Sequence, residues 1–174
     1  MKTLFIDGLC EPINPGGVAA IGYVIDARQY GAVIGYGQGM TNNVAEYRAA
    51  IKSLEDLVGT EEELLVCSDS QLLVRQLTGR YAVHSSTIFP HYQKILELQR
   101  QFQQVQFEWI PREKNTLADA LCWKAYEDFL DQNPGVANLY QAHWASKPTQ
   151  VQLQLMGLTR KYVGERTARR LMAK

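Results

Sequence analysis

Near Thr41 the apolar residues of this 174-residue chain change their period, and that change limits the folds open to it. Before it, Leu4-Phe5-Ile6, Val18–Ile25 and Ala32–Met40 are runs of β-formers and glycine. Asp7-Gly8, the Asn14-Pro15-Gly16-Gly17 loop and a turn near Gly31 separate them. After it, Tyr47, Ile51, Leu54 and Val58 recur at helical spacing, with Thr41 or Asn42 as N-cap and Gly59 as stop. Leu64–Cys67 then reads as a buried strand, followed by a short helix to about Thr78 and a loop over Gly79–Thr87. Ile88–Phe102 is mostly helical, Val105–Ile110 alternates as a strand, and Asn115 caps a helix to about Leu130. The order is β-β-β-α-β-α-α-β-α. Three strands on short connections followed by alternating helices and strands predict an α/β fold: a mixed sheet with helices on its faces. Asn133-Pro134-Gly135 closes this unit, so residues 1–133 read as one domain and 134–174 as a C-terminal extension.

Composition matters here mainly through charge. The formal net charge is zero, which at first argues against a nucleic-acid partner. Residues 1–159, however, hold 12 basic and 17 acidic side chains, whereas Arg160, Lys161, Arg166, Arg169, Arg170 and Lys174 face only Glu165 in the last stretch. Neutrality is a cancellation between an acidic body and a basic helix expected at about 160–174. No apolar run approaches the ~20 residues of a membrane span. The chain enters strand-like Thr3-Leu4-Phe5-Ile6 without a leader pattern, and Cys10, Cys67 and Cys122 are widely spaced with no CxxC pair. The expectation is a cytoplasmic protein with reduced thiols and no membrane partner.

Four acids stand where an open α/β sheet builds its site, at strand ends and helix starts along one edge. Asp7 and Asp69 follow apolar strands expected to be parallel neighbours; Glu46 and Asp119 lie in the first turns of helices. Taken singly, an acid at a helix start also reads as a partner of the helix dipole. Asp7, followed by glycine, has no helix to cap. Carboxylates gathered in one place repel and raise one another's pKa unless cations neutralise them, and hard divalent ions are the usual remedy.

At this point the motifs are those of a family. Asp7-Gly8 with Asn14-Pro15-Gly16-Gly17, Thr41-Asn42-Asn43 with Glu46, Ser68-Asp69-Ser70-Gln71, and Ala118-Asp119 resemble type 1 ribonuclease H over about residues 1–130. The resemblance implies a five-stranded mixed sheet in order 3-2-1-4-5, flanked by helices. It implies an endonuclease that cleaves the RNA strand of RNA–DNA hybrids, leaving 5′-phosphate and 3′-hydroxyl ends, with two Mg²⁺ or Mn²⁺ ions. Asp7, Glu46, Asp69 and Asp119 would hold the metals. Asn14, Thr41, Asn42, Asn43 and Gln71 would contact the minor groove and backbone, where a 2′-hydroxyl separates RNA from DNA.

The chain departs from the family pattern in three places. Leu9 replaces the usual serine after Asp-Gly, and the loop to Asn14 is one residue longer. Pro111-Arg112-Glu113-Lys114-Asn115 stands where many members carry a histidine loop; His84, His91 and His143 lie elsewhere. Arg112 is then the candidate to stabilise charge at the scissile phosphate; its plain reading is a salt bridge to a neighbouring acid. The third departure is Arg80–Thr87, which lacks the basic protrusion some members use as a grip.

For the extension, one reading is a substitute grip on the duplex; another is packing on the body or a second subunit. A different functional class is a non-catalytic ribonuclease H-like module that binds nucleic acid or a partner. Clustered, mutually repelling acids favour the enzyme. A junction resolvase or transposase relative would share the acids but not the Thr-Asn-Asn and Asp-Ser-Gln sets.

Overall fold

All eight residues of β2 (Val18–Ile25) are buried, which places this strand under cover on both faces. The computed structural model describes residues 1–60 and 63–145, and in it β2 pairs antiparallel with β1 (Lys2–Glu11) and β3 (Arg28–Tyr36). β1 also pairs in parallel with β4 (Glu63–Ser68), and β4 with β5 (Gln104–Trp109). The sheet order is β3-β2-β1-β4-β5, the mixed sheet expected. The basic stretch expected to be helical at 160–174 lies outside the described residues. No described helix is long and apolar enough to cross a membrane.

Strand alternation sorts side chains to the two faces. Leu4, Ile6, Ala19, Ile21, Tyr23 and Ile25 join the larger core beneath α1 (Asn42–Glu55), together with Ile88, Ile95 and Leu98 around α3 (Phe89–Gln99). Leu9, Val18 and Ala20 meet Cys122, Tyr126 and Leu130 of α4 (Thr116–Gln132) on the other face. A short helix, α2 (Gln71–Leu77), starts directly after β4 with the Ser70 hydroxyl accepting from the Leu73 amide.

Two boundaries differ from the sequence reading. The turn between β2 and β3 is not at Gly31: Ile25 pairs with Arg28, so Asp26-Ala27 forms a two-residue hairpin, with Asp26 in the left-handed region at φ 50°. Aspartate tolerates that conformation, and glycine is unnecessary there. Gly31 lies inside β3 opposite Gly22, and both serve helix packing. A Cβ on Gly22 would stand 2.5 Å from the Ala118 carbonyl oxygen, and one on Gly31 2.7 Å from that of Leu121. The glycines of these strands let the backbone of α4 sit directly on the sheet.

Nor does β1 end at Asp7-Gly8. It continues to Glu11, because its pairing with β2 runs on to Glu11 opposite Val18. Its pairing with β4 stops earlier, at Phe5 opposite Cys67. From Ile6 onward β1 therefore has one side with no strand partner.

Beyond Asn133 the chain forms α5 (Pro134–Leu139) and α6 (Gln141–Ala145). Tyr140 between them is 7% exposed and packs in the α4 core, and its hydroxyl donates to the Gly16 carbonyl at 2.8 Å. Replacing Tyr140 by Ala is expected to cost about 3 kcal/mol, the scale of aromatic truncation in a core. Urea unfolding measures it; a loss under about 0.5 kcal/mol, typical of surface positions, would show that the body ends before this residue.

Candidate metal centre

Gly8 brings the first two carboxylates together. A Cβ at this position would lie 2.4 Å from the backbone of Ala45 and Glu46, so only glycine lets α1 lie against β1 here. The Asp-Gly pair is thus a close approach, not a turn. α1 is fixed by its N-cap: the Thr41 hydroxyl accepts from the Val44 amide at 3.0 Å. Glu46 enters from this helix, Asp7 from the unpaired stretch of β1, and Asp69 from the residue after β4.

One carboxylate oxygen from each of Asp7, Glu46 and Asp69 lies within 4.8 Å of the others. Asp7 is 4% and Glu46 9% exposed. Burial, then the charges of Asp69 and Asp119, push the Asp7 carboxyl well above the usual range, against the opposing pull of Arg112 and the Gly8 amide. Burial likewise raises Glu46, followed by Asp7 and Asp69, although Arg112 and a bond from Ser68 act in the other direction. Glu46 Oε2 is buried without a hydrogen-bond partner among the described residues. A buried, unpartnered oxygen on a member of an all-carboxylate cluster fits a hard divalent cation, which takes oxygen ligands and removes the repulsion.

Asp119 is placed differently. It lies in the first turn of α4, outside the set within 4.8 Å, and its Oδ1 accepts from Arg112 Nη2 at 2.7 Å. Arg112 Nε stands 3.9 Å from Asp69 Oδ2, so one guanidinium, 47% exposed, spans two of the four acids. Both readings of Arg112 describe it: it pairs with an acid and it stands at the mouth of the cluster.

Asn115 has a role that sequence reasoning missed. It occupies the N-cap position of α4 but makes no capping bond. Its Nδ2 donates instead to the Ile6 carbonyl at 2.8 Å and to Asp69 Oδ1 at 3.0 Å. Ile6 is the first β1 residue beyond the ladder with β4, so Asn115 supplies a donor where β4 no longer does. The signal was the Pro-Arg-Glu-x-Asn motif itself, in which Asn115 reads as an ordinary cap.

The polar residues assigned to substrate form a second group. Asn42 Oδ1 accepts from the Cys10 amide at 2.5 Å, and Asn14 Oδ1 from the Asn42 amide at 3.1 Å. The Gly16 amide donates to the Met40 carbonyl at 2.8 Å. These bonds hold the loop after β1 against the start of α1. Thr41 is engaged as the cap, while Asn43 and Gln71 are exposed at the starts of α1 and α2.

Raised acids carry a stability consequence. Where the folded pKa exceeds the unfolded one, the folded state holds more protons, and stability falls as pH rises from the ordinary value towards the raised one. For Asp7 and Glu46 that window opens at 3.8 and 4.5. In EDTA, Asp7→Asn is expected to melt above wild type by about 2–4 °C per kcal/mol of repulsion relieved. The gap widens as pH rises through the window. Calorimetry at several pH values checks this, and a wild type more stable than the variant at neutral pH would refute it.

Comparison with known proteins identifies the family. Residues 7–125 match the family described as reverse transcriptase-like. The bifunctional protein Rv2228c of Mycobacterium tuberculosis is 43% identical over 82 residues, 47% of this chain but 22% of that protein. The matched part thus spans under a quarter of that relative's length. Ribonuclease HI of Halobacterium salinarum is 34% identical over 119 residues, covering 66% of this chain and 59% of the relative. Among solved structures, LC11-RNase H1 in complex with an RNA/DNA hybrid superposes with a TM-score of 0.68 at 34% identity, over 75% of this chain and 99% of the other. The chain therefore belongs to the reverse transcriptase-like family, as a ribonuclease H domain of the type 1 kind.

Proposed function

We propose that the chain is a metal-dependent endoribonuclease that hydrolyses the RNA strand of RNA–DNA hybrids. The observation that carries this reading is the buried trio Asp7, Glu46 and Asp69 with its orphaned Glu46 oxygen. The similarity to LC11-RNase H1, whose structure holds an RNA/DNA hybrid, supports the substrate class. In the reaction a water oxygen bonds to phosphorus in line and the bond to the 3′-oxygen breaks, leaving 5′-phosphate and 3′-hydroxyl ends.

The residues divide this work. Asp7, Glu46 and Asp69, with Asp119 at the rim, would hold two Mg²⁺ or Mn²⁺ ions, which when bound supply Lewis acidity and neutralise the acids. Arg112, poised between Asp69 and Asp119, places positive charge beside the scissile phosphate as its own charge grows. Asn115 orients Asp69. Asn14, Asn42, Asn43 and Gln71 read the minor groove, since an amide offers both a donor and an acceptor to a 2′-hydroxyl. The Thr41 hydroxyl and the start of α1 would hold a phosphate of the second strand. The basic residues of 160–174 add to the few phosphate contacts of the body, in which acids outnumber bases.

Cleavage of an end-labelled hybrid with Mg²⁺ or Mn²⁺ tests the activity. Intact protein is expected to cut only the RNA strand, and Asp69→Asn to lose at least about 100-fold in rate, the scale for one electrostatic group at a reacting centre. Intact protein inert with both metals would overturn the reading; equal cleavage by the variant would move the site elsewhere. For the extension, a chain ending at residue 148 should bind hybrid with a shallower salt dependence, by roughly 0.9 in log–log slope for each phosphate it no longer neutralises. Equal slopes would dismiss the grip.

A further inference from the structure

Trp109, the last residue of β5, is 43% exposed, whereas Phe107 on the same face of the strand is partly buried. Its indole N–H donates to the Asp69 carbonyl at 3.1 Å, which fixes the ring beside the carboxylate cluster. With its one polar atom satisfied, what the ring offers outward is an aromatic surface.

That surface forms part of a cleft of about 370 Å³ between the edge of β5 and the outer side of α2, lined also by Gln71, Arg75, Arg80, Phe107 and Glu108. Arg75 is held in place: its guanidinium stacks on the Tyr81 ring at 5.1 Å and donates to the Tyr81 hydroxyl. Arg80 has no acid within ion-pair distance among the described residues. Two arginines thus oppose one acid, Glu108. The cleft adjoins the metal centre at two points: Trp109 bonds to the backbone of Asp69, and Gln71 follows Asp69 by two residues.

We propose that this cleft binds an unpaired nucleotide of the RNA strand where it leaves the hybrid duplex. The inference rests on the hybrid-cleavage reading for its substrate. The chemistry specifies the occupant. An aromatic face fixed beside cations suits a base stacked above it and a phosphate alongside. A base within a duplex has both faces covered by its neighbours, so only an unpaired one can use the ring. The volume lies within the ~300–1,000 Å³ of sites for small ligands and is sized for a nucleoside. Glu108 at the rim can accept only from a donor, such as an exocyclic amino group of the base.

The test uses the full chain in two measurements. In EDTA, where no cleavage occurs, a short single-stranded RNA is titrated while tryptophan fluorescence is followed. Quenching is expected with wild type, loss of most of it with Trp109→Leu, and about tenfold weaker binding with Arg80→Glu, which sets an acid where the phosphate would lie. Equal affinities for wild type and Arg80→Glu, or no binding by wild type, would overturn the proposal. So would quenching by a mononucleotide at the concentration that suffices for the oligonucleotide, since the occupant would then not be a strand.

With Mg²⁺, a hybrid whose RNA continues unpaired past the duplex should show a lower KM than a blunt hybrid. Arg80→Glu should cut the blunt one at the wild-type kcat but lose the preference; equal KM values in wild type would also overturn the proposal. A chain that cuts no hybrid but passes the EDTA titration would retract the activity and leave the cleft as an RNA site.

Discussion

Three carboxylates held within 4.8 Å of one another, two of them buried, set the terms for the rest of this structure. Like charges in a poorly solvated place push apart, so other contacts must hold the elements that carry them. The closest of those contacts is steric: α1 lies against β1 because Gly8 has no side chain. α4 is seated in the same way on Gly22 and Gly31, which fixes where Asp119 and Asn115 stand. The repulsion is not relieved inside the trio; Arg112 moderates it from the rim. A hard divalent cation held by the trio would remove that repulsion.

The ladder on one side of β1 is interrupted. β1 keeps its partner on one side through Glu11 and loses it on the other after Phe5. A backbone carbonyl left at such a break needs a donor, and Asn115 provides it from a position 109 residues away. The same amide group then grips Asp69, so the repair of the sheet and the aim of a carboxylate share one side chain.

Strand and helix periods are local, so the element order and the placement of the four acids could be read from residue spacing. What escaped depends on distant parts of the chain meeting. Gly31 looked like a turn because glycine commonly marks one, but its reason is the Leu121 carbonyl 90 residues on. Asp7-Gly8 looked like a strand end because the need for closeness to α1 leaves no local trace. Asn115 looked like a cap because its two acceptors lie far off in sequence, on β1 and just past β4. Alternation places Trp109 on a face of the sheet, but does not indicate whether a helix covers that face at this point.

Tyr140 has one more consequence. By bonding to Gly16 it fastens the point where the chain leaves α5 to the loop that carries Asn14. A segment attached at that point meets the Asn14 loop at a local concentration set by covalent linkage and not by its own affinity. Even individually feeble contacts made by such a segment would count, because the encounter has already been arranged.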